Sequence, residues 1–169
     1  MPNICNFMLK AKSDELENIK RFISVLSHDV DKEKEEAEED NCLAGYRFSR
    51  VWIDDCGWIE VDEENKSVEV YGECAWSVYS CMFEGEYTYY NQWKQYEEEK
   101  VTSILIVSKL LNLTVEIFSE ETGMCFEEHF IVENGEILVD ECLELIIDEE
   151  EGDEDDPVYI SPLEWDFTI

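Results

Sequence analysis

Apolar and polar residues are spaced in two different ways along the first part of the chain. Residues 3–12 form a short apolar run, which predicts a first strand. Ser13 then begins a polar stretch with acidic residues in the first turn, a pattern typical of a helix N-terminus. Apolar residues follow at helical spacing and predict a helix that ends near Ser27, with one face made of Leu16, Ile19, Phe22, Ile23 and Leu26.

The clearest alternation lies in the middle of the chain, on both sides of a turn predicted at residues 63–66. Apolar residues occupy every second position and acidic residues lie between them, which indicates a hairpin with one buried and one acidic face. The turn length places Val61 opposite Val68 and Glu60 opposite Glu69. Because like charges directly opposite each other destabilise a sheet, this acidic pair points to a functional use of the face.

The second half of the chain predicts one helix followed by strands. Residues 96–112 have helical apolar spacing after a group of acidic residues, and Asn112 indicates the end of that helix. Residues 74–93 are rich in aromatic side chains and show no clear period. Three further strands, separated by turns, are predicted at residues 114–119, 124–132 and 136–147.

This order of elements, with an acidic insert at residues 29–41, predicts an α+β protein. Strand, helix, hairpin, helix and strand in succession fit a ferredoxin-like sandwich, an antiparallel sheet with two helices on one face, plus extra strands. The opposite face of the sheet, or part of it, would then be open to solvent and acidic. In this interpretation residues 1–147 form a single domain, and residues 148–169 form an acidic tail whose apolar end docks on the body.

The charge of the chain is large and unevenly distributed. The 169 residues include 44 Asp and Glu against 12 Lys and Arg, a formal net charge of −32. Hydrophobic residues still make up 44% of the chain, enough for one core, so the charge must lie on the outside of a folded body. Residues 110–169 contain 20 acidic residues and no Lys or Arg. Direct binding of nucleic acid or an anionic membrane is close to excluded, because both partners need clustered basic residues.

The seven cysteines indicate a reducing compartment. Their number is odd, no Cys-x-x-Cys pair occurs, and most lie in apolar runs, as expected for buried thiols. The sequence shows neither a secretory signal nor an apolar stretch of membrane-spanning length. We therefore expect a cytoplasmic protein.

Three short stretches carry a resemblance to a known family. The opening Met-Pro-Asn-Ile-Cys-Asn-Phe-Met-Leu, the Cys-Ala-Trp-Ser of residues 74–77 and the Glu-Glu-Thr-Gly-Met of residues 120–124 resemble motifs of the YubB-like ferredoxin-type domains of phage and plasmid proteins. The likeness covers residues 1–27 and 66–130. The chain departs from the family in lacking prolines directly after Ser77 and in being far more acidic.

The resemblance implies a fold and a setting. The fold is a ferredoxin-like sandwich, and the setting is a phage or other mobile element inside a bacterial host cell. Proteins in that setting often inhibit host defence, for example as anti-CRISPR proteins. The family has no established catalytic residues, so the resemblance implies none here.

The residues that could support catalysis or metal binding form no persuasive site. Cys125 and His129 are the nearest Cys/His combination, and a buried Cys beside a rim His is the more common explanation of such spacing. The acidic run at residues 148–156 lacks the alternation of a calcium loop. Adjacent carboxylates such as Asp54 and Asp55 arise by chance among 44 acidic residues. We therefore expect no cofactor, no metal and no enzymatic activity.

The acidic surface is the strongest functional signal in the sequence. A folded polyanion attracts basic proteins and suits channels built for nucleic acid. We therefore expect a nucleic-acid mimic that inhibits a basic, nucleic-acid-binding host protein such as a nuclease or CRISPR effector. The residues assigned to this surface are the acids Glu60, Asp62, Glu69, Glu73, Glu120, Glu121, Asp148, Glu149, Glu150 and Glu151 and the aromatics Tyr71, Tyr89, Tyr90 and Trp93.

Two alternatives remain open. In the first, the aromatic segment at residues 76–93 binds another protein and the charge serves mainly for solubility. In the second and weaker one, the protein is an enzyme that uses Cys125 and His129, or a metal held by paired carboxylates.

Overall fold

The computed structural model describes residues 3–27, 43, 45–53, 57–84, 87–90, 98–148 and 158–169. For residues 87–90, 98 and 99 it describes the backbone. The acidic insert predicted at residues 29–41 lies outside the described residues.

The described residues form an α+β protein with a mostly antiparallel sheet and few helices. The helices are α1 (Leu16–Ser27), α2 (Ile104–Leu110) and a short π-helix (Tyr79–Phe83). The strands of the first half are β1 (Ile4–Ser13), β2 (Tyr46–Arg47), β3 (Val51–Trp52), β4 (Trp58–Asp62), β5 (Ser67–Ala75), β6 (Tyr87–Tyr90) and β7 (Glu98–Val101). Those of the second half are β8 (Leu113–Glu121), β9 (Phe126–Glu133), β10 (Glu136–Glu144), β11 (Ile146–Asp148) and β12 (Val158–Ile160).

The main sheet has the strand order β10-β9-β8-β1-β5, and β3 and β4 both pair with β5. All of its pairs are antiparallel. Strand β2 pairs in parallel with β7, which also pairs with β6, and β11 pairs with β12. Strand β1 is therefore a central strand of the main sheet, between β8 and β5.

Both α-helices pack on the same face of this sheet, which we call the inner face. Alternate residues of the strands point to it, because side chains of a strand alternate between faces. Phe7 and Leu9 of β1 are fully buried there, and they share one core with Phe22 of α1 and Ile104 of α2. We call the opposite face the outer face. It carries Lys10 of β1 and, on the neighbouring strands β5 and β8, the residues that alternate with the core residues.

The turns and register of the locally encoded hairpins agree with the sequence-based predictions, whereas Val61, on the face predicted to be buried, is 41% exposed. The hairpin of β4 and β5 has its turn at residues 63–66, and Val61 pairs with Val68 and Glu60 with Glu69. The hairpin of β9 and β10 turns through Asn134 and Gly135, both with positive φ. An Asn-Gly pair favours this two-residue turn because both residues tolerate the left-handed region.

The helix predicted at residues 96–112 is wrong in its first half. Residues 98–101 form β7, and α2 begins only after Ser103, whose hydroxyl accepts a hydrogen bond from the amide of Ile106. Strand β7 pairs with β2 and β6, which are distant in the sequence. Such pairing outweighs the helical preference of Glu98 and Glu99 within the strand, because β propensity depends on tertiary context.

Three of the cysteines lie in the core, as their apolar surroundings predicted. Cys5, Cys74 and Cys81 are buried and free, and Cys5 pairs with Cys74 across β1 and β5. Hydrogen bonding to Cys5 and Cys81, together with burial, raises the pKa of the Cys74 thiol. Cys125 and Cys142 are also free and lie nearer the surface.

Candidate interaction surface

The outer face of the sheet contains rows of side chains that run across β4, β5 and β1. Glu60 and Glu69 form one row, and Trp58 and Tyr71 form the next row along the same strands. Asp62 lies beyond the first row, opposite Ser67. Acidic and aromatic rows thus alternate on the outer face of β4 and β5. We call this part of the outer face the open half.

The open half continues towards β3. Trp52 pairs with Glu73, which shares the outward side of β5 with Glu69 and Tyr71. Trp52 and Trp58 are nearly half exposed, at 46% and 44%. The structure therefore brings together all four acids predicted for the hairpin and one of the four predicted aromatics, Tyr71, whose hydroxyl donates to Asn6 at 3.4 Å.

Lys10 changes the electrostatics of this surface. Its Nζ lies 2.8 Å from an oxygen of Glu69, so a base from β1 stands beside the like-charged pair of Glu60 and Glu69. Lys10 and Lys12 also line a shallow cavity of about 370 Å³ together with Glu60, Asp62 and Glu69. The repulsion expected between the two glutamates is therefore offset within the sheet. The open half therefore carries opposite charges side by side, because Lys10 lies among the acids predicted for this face.

Asp62 has a structural role as well as an exposed position. Its carboxylate accepts hydrogen bonds from the backbone amides of Glu64 and Asn65 and from the Asn65 side chain, at 2.7 to 3.0 Å. The bonds from Asn65 lower the pKa of Asp62. Asp62 therefore closes the hairpin turn and stays ionised under ordinary conditions.

The C-terminal segment, residues 161–169, lies across the outer face over β8 and β9. We call this part the covered half. Glu127 is fully buried there and accepts hydrogen bonds from Ser161 Oγ at 2.6 Å, the Leu163 amide at 2.7 Å and Trp165 Nε1 at 3.4 Å. Buried carboxylates need such donors, because an unpaired charge in the interior is costly.

Glu116 is the second buried carboxylate of the covered half. It accepts hydrogen bonds from the amides of Thr168 and Ile169 at 2.6 and 3.2 Å, and it lies 3.0 Å from Nε2 of His129. The rings of Trp165 and Phe167 pack against Phe118, which also stacks on His129. Polar and aromatic contacts therefore attach the C-terminal segment to the sheet.

The remaining predicted acids have different surroundings. Glu121 is 2% exposed and accepts hydrogen bonds from the amides of Gly123 and Met124, so it shapes the turn before β9 and is not part of an exposed surface. Glu120 is half-buried, and burial, together with the charge of Glu127, raises its pKa. Asp148 is half-buried at the end of β11. Glu121 and Asp148 lie apart from the open half, whereas Glu120 lies on the outer face of β8, in the row that crosses Asn6 of β1 to Glu73.

Other predicted residues cannot be placed on either half. Glu149, Glu150, Glu151 and Trp93 lie outside the described residues. Tyr89 and Tyr90 lie on β6, in the sheet with β7, and only their backbone is described. The buried Cys81, Met82 and Phe83 show that the described part of segment 76–93 supplies core side chains as well as exposed ones.

Cys125 and His129 do not form a dyad. The Cys125 thiol contacts the carbonyl oxygen of Thr122 at 3.5 Å and the Tyr159 hydroxyl at 3.7 Å. Each nitrogen of His129 faces a carboxylate, that of Glu116 or, at 3.4 Å, that of Glu141. Among the described residues, no group of three or more Cys, His, Asp or Glu has the geometry to hold a metal ion.

Trp52, Trp58 and Lys10 were missed in the sequence-based assignment of this surface. Trp58 and Lys10 alternate with apolar residues in their own strands, so alternation was the signal that could have found them. Nothing local indicates that Trp52 pairs with Glu73, since the two come together only through the pairing of β3 with β5.

Comparison with known proteins leaves the geometry as the main guide to function. No protein-family model, curated protein or solved structure matches the chain. In the part of the chain that the structure describes, no helix is both long and apolar enough to cross a membrane.

Proposed function

We propose that the protein is a non-enzymatic inhibitor that mimics nucleic acid and binds in the positively charged channel of a nucleic-acid-binding protein. The observation that carries the proposal is the open half, where carboxylates and aromatic rings alternate along β4 and β5. Carboxylates can stand in for phosphates, and exposed aromatic rings can take the stacking contacts of bases.

The spacing of the rows supports this proposal. Side chains two positions apart on one face of a strand are separated by about 6.6 Å, which is close to twice the axial rise of about 3.4 Å per phosphate in duplex DNA. Glu60 and Asp62 are separated by one such step, and Glu69 and Glu73 by two. An arginine-rich channel that grips successive phosphates can therefore meet carboxylates at related intervals.

The overall charge supports the same class of partner. A net charge of −32 accelerates encounters with basic proteins and disfavours acidic ones. Lys10 does not remove this effect, because it pairs with Glu69 while Glu60 and Asp62 remain exposed on the same hairpin. Instead, it holds Glu69 in a defined position on the face.

The finer parts of the proposal concern fold family, origin and target. The order β1-α1-β4-β5-α2-β8, with the strands arranged β8-β1-β5-β4, supports a ferredoxin-like sandwich extended by β9 and β10. The resemblance to YubB-like domains supports an origin in a phage or other mobile element. On this basis, the target is a host defence nuclease, such as a CRISPR effector, in the cytoplasm of a bacterial cell.

The experiment is a competition assay with labelled DNA. A panel of purified CRISPR effectors is loaded with labelled target DNA, and displacement by the full chain is measured at about 0.05 M and about 0.5 M salt. We expect displacement of DNA from at least one effector, weakening steeply with salt. No displacement from any effector at low salt would overturn the proposal.

A matched pair of variants tests the surface. E60Q/D62N/E69Q/E73Q neutralises the open half, and the amide introduced by D62N keeps the oxygen that caps the turn. E15Q/E17Q/E84Q/E136Q removes the same charge from exposed positions outside the open half. We expect the first variant to lose at least about tenfold in inhibition and the second to stay within about twofold to threefold. Equal losses would show that only total charge matters.

A further inference from the structure

Strand β10 leaves one edge of the main sheet unpaired among the described residues. It is nine residues long and pairs with β9 on one side, while no described strand pairs with its other side. Every residue of β10 except Val139 is exposed. A long exposed edge presents backbone donors and acceptors that can pair with another strand.

The backbone groups that face outwards follow from the hydrogen bonds to β9. The Leu145 amide donates to the Cys125 carbonyl at 2.9 Å, in the same register that pairs Glu141 with His129. Backbone groups of successive residues point to opposite sides of a strand. The N–H and C=O groups of Asp140, Cys142 and Glu144 therefore point away from β9, towards the open edge.

The side chains of this edge favour one kind of partner. Asp140 and Glu144 are exposed and lie on the same face of the strand, opposite Phe130 and Phe126 of β9. In a pairing between two copies of β10, the two acid-rich strands would lie side by side, which is destabilising. A strand with lysine or arginine near these acids, alternating with apolar residues near Leu143, would gain from both charge and apolar contact.

We propose that the open edge of β10 binds an extended basic segment of another protein by strand addition. Its backbone would pair with Asp140, Cys142 and Glu144, and its basic side chains would lie beside the carboxylates of Asp140 and Glu144. The inference does not depend on mimicry by the open half. The two surfaces lie on different strands, so each can fail without the other.

The test uses the full chain and three synthetic nine-residue peptides. One alternates lysine with valine, one replaces each lysine by glutamate, and one is the lysine peptide with N-methylated amides along one edge. Binding is measured by fluorescence anisotropy. We expect the lysine peptide to bind, the glutamate peptide not to bind, and N-methylation to weaken binding at least about tenfold, because it removes the donors of the added strand.

Two variants locate the binding site. D140K/E144K should weaken binding of the lysine peptide at least about tenfold and create binding of the glutamate peptide. E60K/E69K changes the same number of charges on the open half and should leave the affinity for the lysine peptide within about threefold. Equal effects of the two variants, or undiminished binding of the N-methylated peptide, would overturn strand addition at β10. If the chain instead self-associates, and D140K/E144K changes that self-association, the partner of β10 would be a second copy of the chain. This result would overturn the choice of a basic partner.

Discussion

On β8 and β9 the carboxylates of Glu116 and Glu127 are fully buried beneath the C-terminal segment, whereas on β4 and β5 those of Glu60 and Glu69 lie in an uncovered row. All four belong to the outer face of one sheet. In the covered half, backbone and side-chain donors satisfy each carboxylate. In the open half, one lysine pairs with one carboxylate. Acidic residues on the same face thus hold the fold together in one place and remain available to a partner in the other.

The comparison also shows that high acidity does not by itself define a binding surface. Residues 110–169 contain 20 acidic residues and no basic ones, yet Glu116, Glu121, Glu127 and Glu128 within that region are buried. Glu128 accepts hydrogen bonds from Ser119 Oγ and from the Val78 amide, at 2.7 and 2.8 Å. Part of the charge that looks like an external surface in the sequence is therefore internal, where it connects distant segments.

Removing the C-terminal segment should have the largest effect on stability. Deletion of residues 161–169 removes the donors of Glu127, leaves Glu116 with its contact to His129, and exposes the ring of Phe118. Hydrogen bonds to charged groups contribute about 1.5–3 kcal/mol each, so we expect the loss of several of them, together with the packing on Phe118, to cost at least about 3 kcal/mol in chemical denaturation. A truncated chain as stable as the full one would refute this account.

Neutralising a single carboxylate should change stability less than the deletion does, and the change should be larger in the covered half than in the open half. Glu127→Gln turns an acceptor into a donor that faces Ser161, Leu163 or Trp165, and we expect a loss of about 1–3 kcal/mol in the free energy of unfolding. Glu60→Gln makes the same chemical change in the open half and should change stability by less than about 0.5 kcal/mol. Similar values for both variants in urea unfolding would show that the C-terminal segment does not depend on Glu127.

The dependence of stability on pH should be the smallest effect. Glu120 and Glu128 should contribute with one sign, and Asp62 with the opposite sign. Burial raises the pKa of Glu128, and burial together with Glu127 raises that of Glu120, both from an ordinary value of 4.5. A raised folded-state pKa gives stability that is fully present below the unfolded pKa and is lost as pH rises through the folded one. We therefore expect the melting temperature to rise as pH falls from neutral towards the ordinary carboxyl value of 4.5.

Two variants test whether Glu120 causes this dependence of the melting temperature on pH. Glu120→Gln should flatten this rise, because it removes a carboxyl whose pKa is raised in the folded state. Asp62→Asn is the control, because hydrogen bonds lower the Asp62 pKa from 3.8 and its contribution is lost only as pH falls through that lowered value. A slope that Glu120→Gln leaves unchanged would assign the effect to general repulsion within the net charge of −32.

Local patterns predicted much of the fold because their information lies within a few residues. The alternation around residues 63–66 predicted the hairpin and its register, and the spacing after Ser13 predicted α1. The helix predicted at residues 96–112 was wrong at its start, because β7 is defined by pairing with β2 and β6. Predictions failed where the partner of a segment is distant in the sequence.

The sequence by itself determined the composition of the core, the α+β class, the acidic excess and the alternation that places Glu60, Asp62, Glu69 and Glu73 on one side of a hairpin. Side-chain period and turn chemistry are local, so they can be derived without a structure. Only the tertiary structure decided which carboxylates are satisfied and which remain open. It places Lys10 beside Glu69 and the C-terminal segment over Glu116 and Glu127, through contacts between residues far apart in the chain.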